Sequence, residues 1–158
     1  MSEHTFEVPD LAEPIDRDGV MDVIPHRDPF LWLDRIVALE PGAYARGELH
    51  LGPDLPLFAG HFPGNPVLPG VIIMEALAQT AGYAIGTDAD LSDRLGMFAS
   101  IDGARFRNQV KPGDTLVLEA RIVKLSKRMA TAEVTAYVDG AIAAEASQRY
   151  VMVNQDDQ

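Results

Sequence analysis

At 158 residues, with 47% of them apolar and a formal net charge of −11, the chain has the size and composition of one globular domain, with little room for a second. The negative charge argues against general nucleic-acid binding and against adhesion to anionic membranes, and zero cysteines exclude disulfides and thiolate metal sites. No apolar run reaches the ~18 residues of a membrane span, and the N-terminus lacks the basic and apolar parts of a signal peptide, so the expected location is the cytoplasm.

Residues 1–16 hold five acids (Glu3, Glu7, Asp10, Glu13, Asp16), two prolines and no base. They read as a loosely held acidic arm without chemistry, taken as 1–19, ahead of a single domain over 20–153 and an acidic tail over 154–158. Ile15, Val20 and Val23 or Ile24 predict a short helix between Asp16 and Val23, stopped by Pro25. His26, between Pro25 and Pro29, reads as a positioned loop residue.

Leu31–Leu39 and Tyr44–Leu51 predict two strands around the Glu40-Pro41-Gly42 turn, with His50 at the end as a surface or packing residue. From Gly52 to Pro69 five prolines and three glycines, Gly52 included, forbid a regular helix or central strand, although such a loop can be rigid. A helix is expected from Pro69 or Gly70 to about Ile85. Its apolar residues cover nearly the whole circumference, which marks a buried helix, and its polar exceptions Glu75 and Gln79 stand four apart on one face. Beyond it Gly96–Ile101, Thr115–Leu125, Met129–Val138 and Ala141–Val153 predict strands, the last two joined at Asp139-Gly140. Two strands, a buried helix and four more strands predict an α+β fold, an antiparallel sheet wrapped around the helix.

A single acid in an apolar helix needs a reason, because a desolvated carboxylate must find a partner or hold a proton. His61, in the stiff loop just before that helix, supplies an imidazole suited to taking a proton near neutrality. The helix amino end leaves unpaired N–H groups, so the amide of Gly70 or Val71 can hold a developing oxyanion. Base, acid and oxyanion donor together fit removal of a proton next to a carbonyl with loss of a hydroxyl from the neighbouring carbon. Periodicity leaves open whether His61 and Glu75 meet in space, within one chain or across a subunit boundary. HExxH and HxxxH spacings, GxGxxG, the Walker phosphate loop and the GxSxG elbow are all missing from the sequence, so neither a metal nor a cofactor is expected.

The stretch GHFPGNPVLPGVIIMEALAQ (60–79) closely resembles the signature of FabZ-type 3-hydroxyacyl-[acyl carrier protein] dehydratases. IPHRDPFLWLDRI, SIDGARFRNQVKPGDTLVLEARI and VDGAIAAEA extend the likeness over about residues 20–152, whereas LSKRMATAEV lacks the glycine and aromatic residues many members show at that turn. The resemblance implies a hotdog fold and a homodimer with two composite sites, often assembled further as a trimer of dimers. It implies His61 of one subunit as base, Glu75 of the other as acid, Gly70 or Val71 as oxyanion donor and Gln79 as the residue orienting the acid. Phe62, Met97 and Phe98 would then line the acyl tunnel. Glutamate at 75 fits this branch better than the dehydratase-isomerases, which carry aspartate at the matching place.

Arg105 to Arg128 holds seven bases and two acids, so this segment carries +5 and the remainder −16, against −11 for the whole. It reads either as a salt-bridged strand surface or as a docking patch. The resemblance supplies the partner, an acidic acyl carrier protein, and makes Arg105, Arg107, Lys124, Lys127 and Arg128 docking candidates. Two other classes stay open: a hotdog acyl thioesterase, which would release free acid, and a non-catalytic acyl-binding subunit of a specialised lipid or polyketide pathway.

Overall fold

The computed structural model describes residues 7–155, so the expectations placed on residues 1–6 and on the Asp156-Asp157 tail lie outside the described residues. Helix α1 (Arg17–Met21) opens where Asp16 accepts from the Gly19 N–H at 2.9 Å, an ordinary N-cap. Strands β1 (Arg35–Glu40) and β2 (Tyr44–His50) form a hairpin, followed by a one-turn helix α2 (Leu57–Gly60) and the long helix α3 (Gly70–Gly86). Strands β3 (Arg94–Phe106), β4 (Thr115–Leu125), β5 (Met129–Val138) and β6 (Ala141–Asn154) complete the chain.

The six strands make one antiparallel sheet in the order β1-β2-β4-β5-β6-β3. The sheet curls around α3, which packs against β2, β4 and β5 in its centre and reaches β3 and β6. This is the hotdog arrangement. Alternation builds the core: Leu116, Leu118 and Ala120 of β4 and Ala130, Ala132, Val134 and Ala136 of β5 are buried, as are Met74, Ala76, Leu77, Ala81, Ala84 and Ile85 of α3. The many alanines allow helix and sheet backbones to approach closely. At the β5–β6 hairpin Asp139 and Gly140 both have positive φ, 50° and 80°, the requirement of a type I′ turn.

Four differences from the predicted elements have physical causes. Leu31, Trp32 and Leu33 are buried but precede β1, because the Trp32 N–H is taken by the Gln79 side chain at 2.8 Å and cannot join the sheet ladder. The proline-rich loop does contain a helical turn, α2, which begins after Pro56, a residue whose fixed φ suits a helix start. β3 runs on past Ile101 to Phe106, absorbing Gly103-Ala104 as an irregularity against β6 instead of ending there. The described part of the acidic arm is tied down: Ile15 bridges Ile36, Leu11 N–H donates to Val37 O at 2.8 Å, and Asp10 pairs with the buried Arg46.

β3 is an outer strand with an open edge, and Met97, Phe98, Ile101 and Phe106 along it are 41–56% exposed. The first turn of α3 is also open, with Val71 75% exposed, so the helix is buried from its second turn onward. No helix among the described residues is long and apolar enough to cross a membrane.

Candidate active site

Gln79 is buried on α3 and its orientation is dictated by backbone groups with no choice of role. Its amide oxygen accepts from the Trp32 N–H (2.8 Å), and its amide nitrogen donates to Phe30 O (2.9 Å) and to Oε2 of Glu75 (3.0 Å). A backbone N–H can only donate and a carbonyl can only accept, so Oε2 of Glu75 is an acceptor. One helical turn earlier, Glu75 is thereby held in one pose, with its side chain 20% exposed.

Glu75 lines a cavity of about 400 Å³ together with His26, Phe30, Met97, Phe98 and Tyr150, a volume in the range of small-molecule sites. The walls are mostly apolar. Tyr150 belongs to the buried hydrogen-bond network beneath α3, where its hydroxyl donates to Gln148, which in turn donates to Met74 O at 3.0 Å. Burial, reinforced by the charge of Glu75, pushes the Tyr150 hydroxyl far above the usual tyrosine range.

His61 follows α2. Its Nδ1 lies 2.7 Å from Val67 O, and since a carbonyl only accepts, Nδ1 carries the hydrogen and Nε2 of the neutral ring is left with a lone pair. Phe62 stacks on the imidazole with centroids 3.9 Å apart and is half exposed; the peptide joining the two residues is cis. His61 shares a second pocket with Gly70, Val71, Phe106 and Arg107, while Glu75 faces the first. Within one chain, then, the structure brings His61 to the amino end of α3 and Glu75 to Gln79, and leaves acid and base in different pockets.

Gly70 permits a close approach. A Cβ there would fall 2.6 Å from the Phe106 ring. The ring of Phe106 therefore lies over the helix amino end, where Pro69 O accepts from Ile72 and Ile73 and the preceding Gly70 and Val71 N–H groups are left without an intrahelical acceptor. Met97 and Phe98 line the Glu75 cavity, and Phe62 lines neither pocket.

The basic segment is divided. Arg105 stands in register with Glu145 and Thr135, whereas Met129, next to Lys127 and Arg128, stands in register with Val151 and Met97. Thr135 and Met129 are about 20 Å apart along β5. Arg105 and Arg107 are thus at the His61 end, and Lys124, Lys127 and Arg128 at the opposite end of the strands. Arg107 pairs with Glu145 at 3.3 Å and Arg121 with Glu7 at 3.5 Å; among the described residues Arg105, Lys124, Lys127 and Arg128 enter no ion pair.

Two residues that the sequence did not mark as functional stand in the site. His26 places Nε2 3.7 Å from Oε2 of Glu75, and Phe106 covers Gly70. The stiff setting of His26 between prolines was the available signal for the first; an aromatic in a strand carries no comparable signal for the second. His50, by contrast, is exposed at the end of β2, with Nδ1 3.0 Å from Thr115 Oγ1.

A family model described as a FabA-like domain matches residues 24–147. The chain is 45% identical over 135 residues to a protein of Acetivibrio thermocellus named 3-hydroxyacyl-[acyl-carrier-protein] dehydratase FabZ, covering 85% of this chain and 92% of the relative. It is likewise 45% identical over 135 residues to a protein of that name from Chloroflexus aggregans, covering 85% of this chain and 94% of the relative. Among solved structures, a dehydratase heterocomplex, ApeI:P, from Xenorhabdus doucetiae superposes with a TM-score of 0.72 at 17% identity over 87% of this chain and 92% of that one, a likeness of fold. The chain belongs to the FabA-like family of hotdog proteins, among relatives of the FabZ dehydratase type.

Proposed function

We propose that the protein is a hydro-lyase that dehydrates a (3R)-3-hydroxyacyl thioester on acyl carrier protein to the trans-2-enoyl thioester, reversibly, in fatty-acid or related acyl-chain synthesis. The observation that carries the mechanism is the division of His61 and Glu75 between two pockets, each group prepared by its neighbours and neither pocket holding both. A second copy joined along the open β3 edge would bring the base of one chain to the acid of the other.

In that composite site Nε2 of His61 takes the C2 proton. The electron pair forms the C2–C3 double bond as the C3–O bond breaks, and Glu75 protonates the departing hydroxyl, which leaves as water. The N–H of Gly70 or Val71 polarises the thioester carbonyl as charge develops on its oxygen. The apolar cavity beside Glu75, with Met97 and Phe98 in its wall, takes the acyl chain. Arg105 and Arg107, at the His61 end, are better placed than Lys124, Lys127 and Arg128 to receive the acidic carrier there.

Incubation of the purified protein with 3-hydroxyacyl carrier protein, followed by mass spectrometry of the carrier, tests this reading. Loss of water supports it. Release of free acid would make the protein a thioesterase, and no turnover at any chain length would make it an acyl-binding subunit.

A further inference from the structure

The segment from Pro25 to Trp32 lies against the face of α3 that carries Glu75 and Gln79. Arg27 ties this segment to itself by donating to the carbonyls of Met21 (3.1 Å), Ile24 (3.0 Å) and His26 (2.7 Å). His26 is therefore presented from a braced backbone. Its Nε2 faces Oε2 of Glu75 at 3.7 Å, and its Nδ1 is buried with no hydrogen-bond partner among the described residues.

These surroundings select a tautomer. A hydrogen on Nδ1 would bury an N–H without an acceptor and turn the Nε2 lone pair toward a carboxyl oxygen already accepting from Gln79. A hydrogen on Nε2 turns a donor toward Oε2 and leaves only an unused lone pair at Nδ1, the less costly orphan. Burial lowers the pKa of His26 below 6.5, with Glu75 opposing and Arg27 assisting, which favours the neutral ring in which this choice applies. Gln79 and His26 then both direct N–H groups at the same oxygen.

We propose that His26 is a positioning residue for the acid: with Gln79 it keeps Oε2 of Glu75 as acceptor, so that the transferable proton is carried on Oε1. The proposal rests on the dehydratase reading and deepens it. At 3.7 Å the contact is longer than a hydrogen bond, and it strengthens as proton transfer to the leaving hydroxyl makes Glu75 a carboxylate. An interaction stronger in the transition state than in the ground state acts on kcat more than on KM.

The test compares His26→Gln, whose side-chain N–H reaches roughly where Nε2 lies, with His26→Leu, which fills space without a donor. Steady-state dehydration of 3-hydroxyacyl carrier protein is measured for the full chain beside thermal midpoints. His26→Leu should lose about tenfold in kcat with KM little changed, and His26→Gln should recover most of the loss. Equal kcat values in the two variants, high or low, overturn the proposal, because a space-filling role would not distinguish them in this direction. The underlying reading fails separately, through a wild type that releases no water or a Glu75→Gln variant that keeps wild-type turnover.

Discussion

The side-chain nitrogen of Gln79 donates to Oε2 of Glu75 at 3.0 Å, and the orientation of that amide is imposed by the Trp32 N–H and the Phe30 carbonyl on the other side. Gln79→Leu therefore strands a buried backbone donor and an acceptor while freeing the carboxyl. The variant should lose about 2–4 kcal/mol of stability, read as a lower urea midpoint at unchanged m-value, together with most of its kcat.

The proposed division of the site between two chains has a signature in mixtures. His61→Ala and Glu75→Gln proteins should each be inactive as folded oligomers. After subunit exchange between them, about a quarter of wild-type activity should return, because half the dimers are mixed and each mixed dimer has one intact site. No recovery in exchanged dimers would place acid and base in the same chain.

The Phe106 ring over Gly70 makes a prediction about a single methyl group. Gly70→Ala puts a Cβ 2.6 Å from that ring, which is 56% exposed and can swing away. The cost should fall on KM and kcat for carrier-linked substrate, with a small change in thermal midpoint. Adding Phe106→Ala should relieve part of the defect, a coupling that a double-mutant cycle measures.

Carrier docking at the His61 end should depend on charge and on place. Added salt should raise KM, as should Arg105→Glu or Arg107→Glu, by several-fold for rim charges. Lys127→Glu, at the far end of β4 and β5, should leave KM unchanged. Equal effects at both ends would show that the carrier does not discriminate between them.

His26 also contributes to the pH dependence of stability. Its folded pKa is depressed from 6.5, chiefly by burial, so the unfolded chain binds more protons in mildly acid solution. The stability it helps preserve above that value is lost as pH falls through the folded pKa. His26→Leu should lose less unfolding free energy than wild type between about pH 7 and pH 5, measured by urea titration.

His61, Gly70, Glu75 and Gln79 stood out in the chain as candidates because each breaks a local pattern: an imidazole in a proline loop, a glycine at a helix start, and two polar residues in an apolar helix. The same was true of the buried helix, apolar around nearly its whole circumference, and of the alternating strands, whose period of 2 is written residue by residue. Relations between elements far apart in sequence were not. That His26, Phe30 and Trp32 converge on Glu75 and Gln79 depends on how residues 26–32 lie across α3, some 47 positions away for the Trp32–Gln79 bond. That Phe106 covers Gly70, and that a basic run continuous in sequence is split between two ends of a sheet, follows from strand order and register. A local pattern specifies which face of an element is apolar, and only the pairing of distant faces decides which side chains meet over the carboxyl of Glu75.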